Sequence, residues 1–273
     1  MIGSPWVIIL AGGAGRRLAE VTGDVPKQFF RLPGRSSLFE QTVGRFRGLA
    51  SAERSVAVVD RSHRGFIEDV DPGLSVGKVL YQPGDRGTAA GVFLGLSAVL
   101  ERDPGAYVLL TPADHAVGQP AVFRSGIQVA RRNIRSGRAD VVLFGAEPDH
   151  PSQDFGWIRA SRVHSGAEAG VRSVDTFVEK PSPEDARRLL KAGAVWNTMV
   201  LLARARALES LFVTHTPELA AVFGHARKLP ASLRAGFLHE SYRDLPAPGF
   251  FAGCPCSCDR AVGLHLACLH EMD

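Results

Sequence analysis

The run Trp6-Val-Ile-Ile-Leu10 is apolar at every position and ends in glycine, as expected of a strand buried on both faces of a parallel sheet. Similar short runs recur at 55–60, 77–81, 106–111 and 139–145. Between them, 37–48, 62–70, 88–101 and 120–135 carry helical periodicity, and Pro72, Gly84, Pro104 and Gly118 punctuate the joins. This alternation predicts a parallel sheet covered by helices on both faces. From about residue 154 the pattern changes to extended segments at 155–161 and 171–178, followed by a helix at 183–192. That helix opens on Ser182-Pro183-Glu184-Asp185, a serine cap, a first-turn proline and acids at the positive end of the dipole. Val195 to Leu202 is strand-like again, and no internal repeat, low-complexity tract or long linker interrupts the chain.

In open sheets of this kind ligands gather beyond the carboxyl ends of the strands, and the chemistry-bearing residues fall there. Gly12, Gly13 and Gly15 follow the first strand, where bare backbone amides can approach an anion that a Cβ would obstruct. The P-loop pattern fails for want of a Gly-Lys-Ser/Thr, and the dinucleotide fingerprint fails because Leu18 stands where its third glycine belongs. What remains is a glycine loop with Arg17 on it and Pro26-Lys27-Gln28-Phe29 shortly after, equipment for holding a polyphosphate. A strand-to-helix turn with solvated basic residues explains either half alone but not both together.

Composition narrows the classes. The 273 residues are 45% hydrophobic and 22% charged, ordinary for a folded globular chain long enough to bury a large core. Net charge is +4 and only Arg131, Arg132, Arg135 and Arg138 crowd together, on what reads as the solvated side of a helix and its exit. No aromatic and basic residues interleave as a stacking platform, which argues against nucleic acid as a partner. No apolar run approaches the roughly 20 residues that span a bilayer, and no signal segment precedes the first strand, so the expected location is cytoplasmic. All four cysteines, 254, 256, 258 and 268, fall at the end, so disulfides do not build the core.

Further candidates sit at later strand ends. Asp114, in Thr111-Pro112-Ala113-Asp114-His115, places a carboxylate where Mg²⁺ bound to phosphates could be held, although a cap or turn role would suit it in isolation. His115 reads as a turn histidine with ordinary hydrogen bonds. Gln82, Gly87 and the small residues after it offer an amide and close backbone approach to a flat base, with a loop and Thr88 as helix cap the plainer alternative. Phe177-Val-Glu179-Lys180-Pro181 and Trp196-Asn197 offer a carboxylate, an ammonium and an amide to sugar hydroxyls, with Trp196 available for stacking. A surface ion pair or a core aromatic would account for each of these as well.

Taken in order, AGGAGRRL, PKQF, QPGDRGTAA, TPADH, FGWI, FVEKP and WN resemble the sugar-nucleotide pyrophosphorylases, and within them the bacterial mannose-1-phosphate guanylyltransferases, over about residues 6–203. The resemblance implies an α/β, Rossmann-like (GT-A-like) three-layer sandwich with a mainly parallel central sheet. It divides the chain into a nucleotidyltransferase domain at 1–225, with nucleotide-binding (1–150) and sugar-phosphate-binding (151–225) parts, and an atypical tail at 226–273. It implies GTP and mannose-1-phosphate as substrates with Mg²⁺ as cofactor, and leaves a homo-oligomer open. By the same resemblance Gly12, Gly13 and Arg17 contact nucleotide phosphates, Lys27 bridges the sugar phosphate and the α-phosphate, and Gln82 and Gly87 face the base. Asp114 holds Mg²⁺, while Gly156, Glu179 and Asn197 line the hexose and Lys180 reaches its phosphate. UTP or dTTP with glucose-1-phosphate, and a non-catalytic nucleotide-sugar binder, are the rival readings.

One departure from the family pattern stands out. The tryptophans are Trp6, Trp157 and Trp196, so the late Trp-x-Asp-x-Gly segment with a second metal-binding aspartate is missing, and Asp244, Asp259 and Asp273 lack its context. The end is instead rich in Cys254, Cys256, Cys258, His265, Cys268 and His270, spaced unlike the usual zinc knuckles. A truncated or rewritten carboxy terminus is the expectation.

Overall fold

A computed structural model describes residues 3–13, 15, 18–161, 171–246 and 262–266, the last by backbone alone. The elements run β1 (Trp6–Ala11), α1 (Ala19–Thr22), α2 (Leu38–Arg45), β2 (Ser55–Asp60), α3 (Arg64–Glu68), β3 (Lys78–Gln82), α4 (Gly87–Arg102), β4 (Tyr107–Pro112), α5 (Pro120–Arg135), β5 (Val141–Ala146), β6 (Trp157–Ala160), β7 (Val171–Val178), α6 (Pro183–Lys191), β8 (Val195–Arg204), α7 (Ala205–His215), α8 (Pro217–Lys228), α9 (Ala231–Ser241) and β9 (Val262–Leu266). The strands form one sheet in the order β3-β2-β1-β4-β8-β5-β9-β7-β6. Strands β3, β2, β1 and β4 are mutually parallel, and the antiparallel β8 lies between β4 and β5.

Alternation along β1 builds a core on each side. Trp6 and Ile8 join Val56, Val58, Leu110 and the buried face of α4, with α7 and α8 beyond, whereas Val7, Ile9 and Ala11 join Phe39, Val43, Phe123, Ile127 and Ala186 from α2, α5 and α6. Three layers result, as expected. Because α4 is wedged between the sheet and α7–α8, it is buried nearly all round, and Gly95 meets the sheet so closely that a Cβ there would lie 2.6 Å from Ile8 Cγ2. The chain after residue 225 adds to the same body: α9 leads to Tyr242 and Leu245 in the α4-side core, and β9 pairs with β5 and β7. The four cysteines, Asp259, Asp273 and His270 lie outside the described residues.

Helix α2 starts at a capping box in which the Glu40 amide donates to Ser37 Oγ and the Ser37 amide donates to Glu40 Oε2. Arg31 adds a two-pronged contact, at 3.0 and 2.6 Å, to the same buried carboxylate. The Arg31 hydrogen bond, and then the Ser37 and Asp71 amides, pull the Glu40 carboxyl down to about 2 against the opposing effect of burial. A carboxyl depressed in the folded state stabilises above its unfolded pKa and loses that contribution as pH falls through the folded one. Glu40→Gln is therefore expected to cost about 1–2 kcal/mol at pH 7, after allowance for the exposed Arg31 end. The difference from the parent should shrink as pH drops from about 4.5 towards 2, as read by urea denaturation at each pH.

Candidate active site

Strand β1 ends at Ala11, and the chain then turns through Gly12 and Gly13 along the floor of a cleft of about 410 Å³. That size falls in the range of roughly 300–1,000 Å³ usual for small-molecule sites. Gln82, Asp85, Gly87 and Thr88 from the end of β3 and the start of α4 line one wall, and Asp114 and His115 after β4 line another. Parallel β1, β3 and β4 bring these segments together because all three end at the same edge of the sheet.

The glycine loop is held from below. The Gln28 side-chain amide donates to the carbonyls of both Ala11 and Gly13 at 2.9 Å, while Phe29 beside it packs between Phe39 and Phe66. The turn at Pro26–Phe29 is thereby fixed to the core and to the loop at once, which sets where Lys27 emerges. Gly15 has φ +62°, and a Cβ there would lie 2.7 Å from the Lys27 backbone nitrogen. Only glycine allows this approach. Arg17, expected to be the second cation, lies outside the described residues.

Asp114 keeps its carboxylate half-exposed in the cleft, 3.6 Å from His115 Nε2. His115 departs from the expectation of an ordinary turn histidine: it is half-buried, and its Nδ1 is enclosed without a hydrogen-bond partner. Burial is the main cause holding its pKa below the ordinary value, with Asp114 opposing and the charges of Lys27 and Arg45 adding to the depression, so the ring is neutral at neutral pH. Arg45 supports the segment by donating to the His115 carbonyl at 3.0 Å, and burial brings its own pKa down to about 10. Nothing in the local sequence around Arg45 announced this contact with a residue seventy positions away.

Beyond β3, Asp85 rather than Thr88 caps the turn into α4, accepting from the Gly87 amide at 2.9 Å while Thr88 lines the cleft. Gly87 itself has φ +73°. A Cβ on Gly12 would come within 2.4 Å of Gln82 Oε1, so the loop and the glutamine are in direct contact. The Gln82 Nε2 donates to the hydroxyl of Tyr242 at 2.8 Å.

Gly156, Glu179 and Asn197 form a second cluster. The Asn197 amide donates to the Gly156 carbonyl at 2.7 Å, and a Cβ on Gly156 would lie 2.8 Å from Glu179 Oε2. Lys180 follows with φ +46°, one of two described non-glycine residues in the left-handed region. The other is Met199, φ +58°, which lines the first cleft. The register of β8 against β5 slips between Leu143 and Gly145, and Thr198 donates to the Phe144 carbonyl. Such an irregularity re-aims the strand, and the Asn197 side-chain Oδ1, accepting from the Met199 backbone amide at 3.1 Å, holds the turn. The two clusters are thus coupled through Asn197 and Met199. Held backbone strain of this kind gathers at functional sites. Trp196 is not free to stack on a ligand, since it is buried among His150, Phe155 and Trp157.

The chain belongs to the nucleotidyl transferase family, whose profile matches residues 6–226. Among curated proteins it is similar to the alginate biosynthesis protein AlgA of Pseudomonas aeruginosa, 33% identical over 75% of this chain and 43% of that one. It is also similar to the mannose-1-phosphate guanylyltransferase of Escherichia coli strain K12, 31% identical over 75% of this chain and 44% of that one. The chain spans less than half the length of these relatives. A solved structure described as a mannose-1-phosphate geranyltransferase from Thermus thermophilus superposes with a TM-score of 0.83 at 28% identity, covering 97% of this chain and 75% of that one. Among the described residues, no helix is long and apolar enough to cross a membrane.

Proposed function

We propose that the chain transfers a guanylyl group from GTP to mannose-1-phosphate, releasing pyrophosphate and leaving GDP-mannose. The observation that carries this reading is the junction of two clusters: the cleft of Gly12, Gly13, Gln82, Gly87 and Asp114 is joined through Met199 to the cluster of Gly156, Glu179 and Asn197. Family membership supports nucleotidyl transfer, and the names of the relatives favour guanine and mannose.

In this reading a sugar-phosphate oxygen attacks the α-phosphorus in line. A new P–O bond forms as the α–β bridge breaks, and its electron pair leaves on pyrophosphate. The nucleophile is anionic at neutral pH, so no protein base is required; the barrier lies in bringing two polyanions together. Lys27, Arg17 and Lys180 offset that repulsion, bare amides of the glycine loop receive phosphate oxygens, and Asn197 and Glu179 orient the sugar. Asp114 suits Mg²⁺ as a half-exposed carboxylate lining the cleft just beyond a strand end. A carboxylate-poor site of this kind would hold the ion mainly through phosphate and water. Bound there, the ion supplies positive charge to the phosphates. Asp114→Asn is expected to raise the magnesium concentration needed for half-maximal rate by about tenfold.

The test is pyrophosphate release from a panel of GTP, UTP, dTTP and ATP against mannose-1-phosphate and glucose-1-phosphate. GTP with mannose-1-phosphate should be fastest. Preference for UTP with glucose-1-phosphate would overturn the assignment, and GDP-mannose binding by calorimetry without turnover would indicate a sensor.

A further inference from the structure

We infer that Met199 is a positioning residue for the sugar subsite: its backbone amide and its thioether together fix which way the Asn197 side-chain amide points, so that Asn197 meets the sugar phosphate already ordered. This rests on the sugar-phosphate-binding reading given above and deepens it.

An asparagine amide carries a donor and an acceptor on ends of nearly equal shape, and partners that can both donate and accept leave its two orientations open. The partners of Asn197 are not of that kind. The Met199 backbone N–H can only donate, and it gives its hydrogen to Asn197 Oδ1 at 3.1 Å. The Met199 sulfur, a thioether, has no hydrogen to give, and it accepts from Asn197 Nδ2 at 3.4 Å. Turned over, the amide would set N–H against N–H and lone pair against lone pair, so both contacts select the same orientation. One N–H and one lone pair of Asn197 then remain for a ligand, in a place set in advance.

The root of the side chain is held as well. Asn197 is buried, its backbone amide donates to the Gly156 carbonyl at 2.7 Å, and its Cβ is 3.5 Å from where a Cβ on Gly156 would stand. Thr198, the residue between, donates to the Phe144 carbonyl at 2.6 Å. Met199 then turns back on Asn197 with φ +58°. A methionine is strained there where glycine would not be, and what it contributes is the thioether. An amide that had to be ordered as the sugar arrived would weaken binding, whereas one ordered in the empty protein does not. Met199 also lines the nucleotide cleft, so one side chain borders both subsites.

The chain has three methionines, and the other two, Met1 and Met272, stand at its ends. Growth on norleucine therefore replaces the Met199 sulfur by a methylene of nearly the same shape, which removes the acceptor and keeps the backbone amide and the cleft wall. In the labelled protein KM for mannose-1-phosphate should rise about threefold, the worth of one weak hydrogen bond, with kcat and KM for GTP unmoved. In the Asn197→Ala background labelling should change nothing, and labelling of Met199→Leu should change nothing either, which assigns the effect to position 199. Thermal melting confirms folding of each protein. If Asn197→Ala fails to fold, Asn197→Ser takes its place, since a serine hydroxyl can still accept from the Met199 amide but brings no amide nitrogen to the sulfur. An unaltered KM for mannose-1-phosphate, an equal rise in the Asn197→Ala background, or the same rise on labelling Met199→Leu would overturn the inference and leave the guanylyl assignment standing. A parent that prefers UTP or dTTP with glucose-1-phosphate overturns the guanylyl assignment alone, and the cycle is then read on KM for glucose-1-phosphate. A parent that turns over no pair overturns the transferase reading, and the cycle is read on the Kd of GDP-mannose by calorimetry; absence of that binding overturns the inference too.

Discussion

Replacing Lys27 with alanine is expected to lower kcat by about a thousandfold while moving the thermal midpoint by no more than about 2 °C. The expectation follows from how the position is built. Lys27 rises from a turn fixed on one side by the Phe29 ring between Phe39 and Phe66, and on the other by Gln28 bonded to the Ala11 and Gly13 carbonyls. Its charge reaches the cleft, since it helps to depress the pKa of His115. A cation held in place before the reaction needs no reorganisation when charge builds on the transferred phosphorus, and loss of one such group typically costs about 10²–10³ in rate. Lys27→Arg should recover little of it, because a planar fork on a longer stem cannot occupy the place of a compact ammonium without moving the turn. Steady-state kinetics with saturating GTP and mannose-1-phosphate decide the matter; a loss under about tenfold would remove Lys27 from the chemistry.

The same turn shows what the sequence could and could not convey. Strands β1, β2, β4 and β5 were legible because a strand buried on both faces is an unbroken apolar run; β3, a partly buried edge strand, still showed as a short run, and all five lie within two residues of expectation. The helix start at Ser182 was legible too, and the Ser182 hydroxyl does accept from the Asp185 amide. Helices α7, α8 and α9 went unread because their apolar residues are not confined to one face, α8 and α7 being packed against α4 and each other rather than against the sheet. At the site, the glycines, Gln82 and Asp114 were identified by residue type, and the structure does bring them to one cleft. The supporting contacts were not readable. Nothing in residue type marks Gln28 as the group that bonds the Ala11 and Gly13 carbonyls, and Tyr242 meets Gln82 across 160 residues of chain. Whether Trp196 stacks on a ligand or packs in the core was left open, and the enclosed Nδ1 of His115 went unread, for a common reason: burial depends on what other segments lay over a residue, and local pattern carries no record of it.

Gly15→Ala should be nearly as damaging as the loss of Lys27, although it adds a single methyl group and removes no charge. At φ +62° an alanine is strained by about 1–2 kcal/mol, and its Cβ would lie 2.7 Å from the Lys27 backbone nitrogen and 3.2 Å from Lys27 Cβ. A flexible side-chain end could yield to such a contact, but a backbone nitrogen in a turn bonded to the core cannot without carrying the turn with it. Either the glycine loop retreats from the proposed phosphate position or Lys27 moves away from the cleft, and a displacement of about 1 Å at a positioning group costs about 10² in rate. The expected result is a fall in kcat/KM of about 10²–10³, with the thermal midpoint lowered by about 2–8 °C. Gly13→Ala supplies the contrast, because a Cβ there meets nothing within 4 Å and the residue does not have positive φ. That variant should melt with the parent, and any rise in its KM for GTP would report the approach of phosphate to bare backbone. Equal thermal midpoints and equal rates for Gly15→Ala and Gly13→Ala would show that the contact with Lys27 does not organise the site.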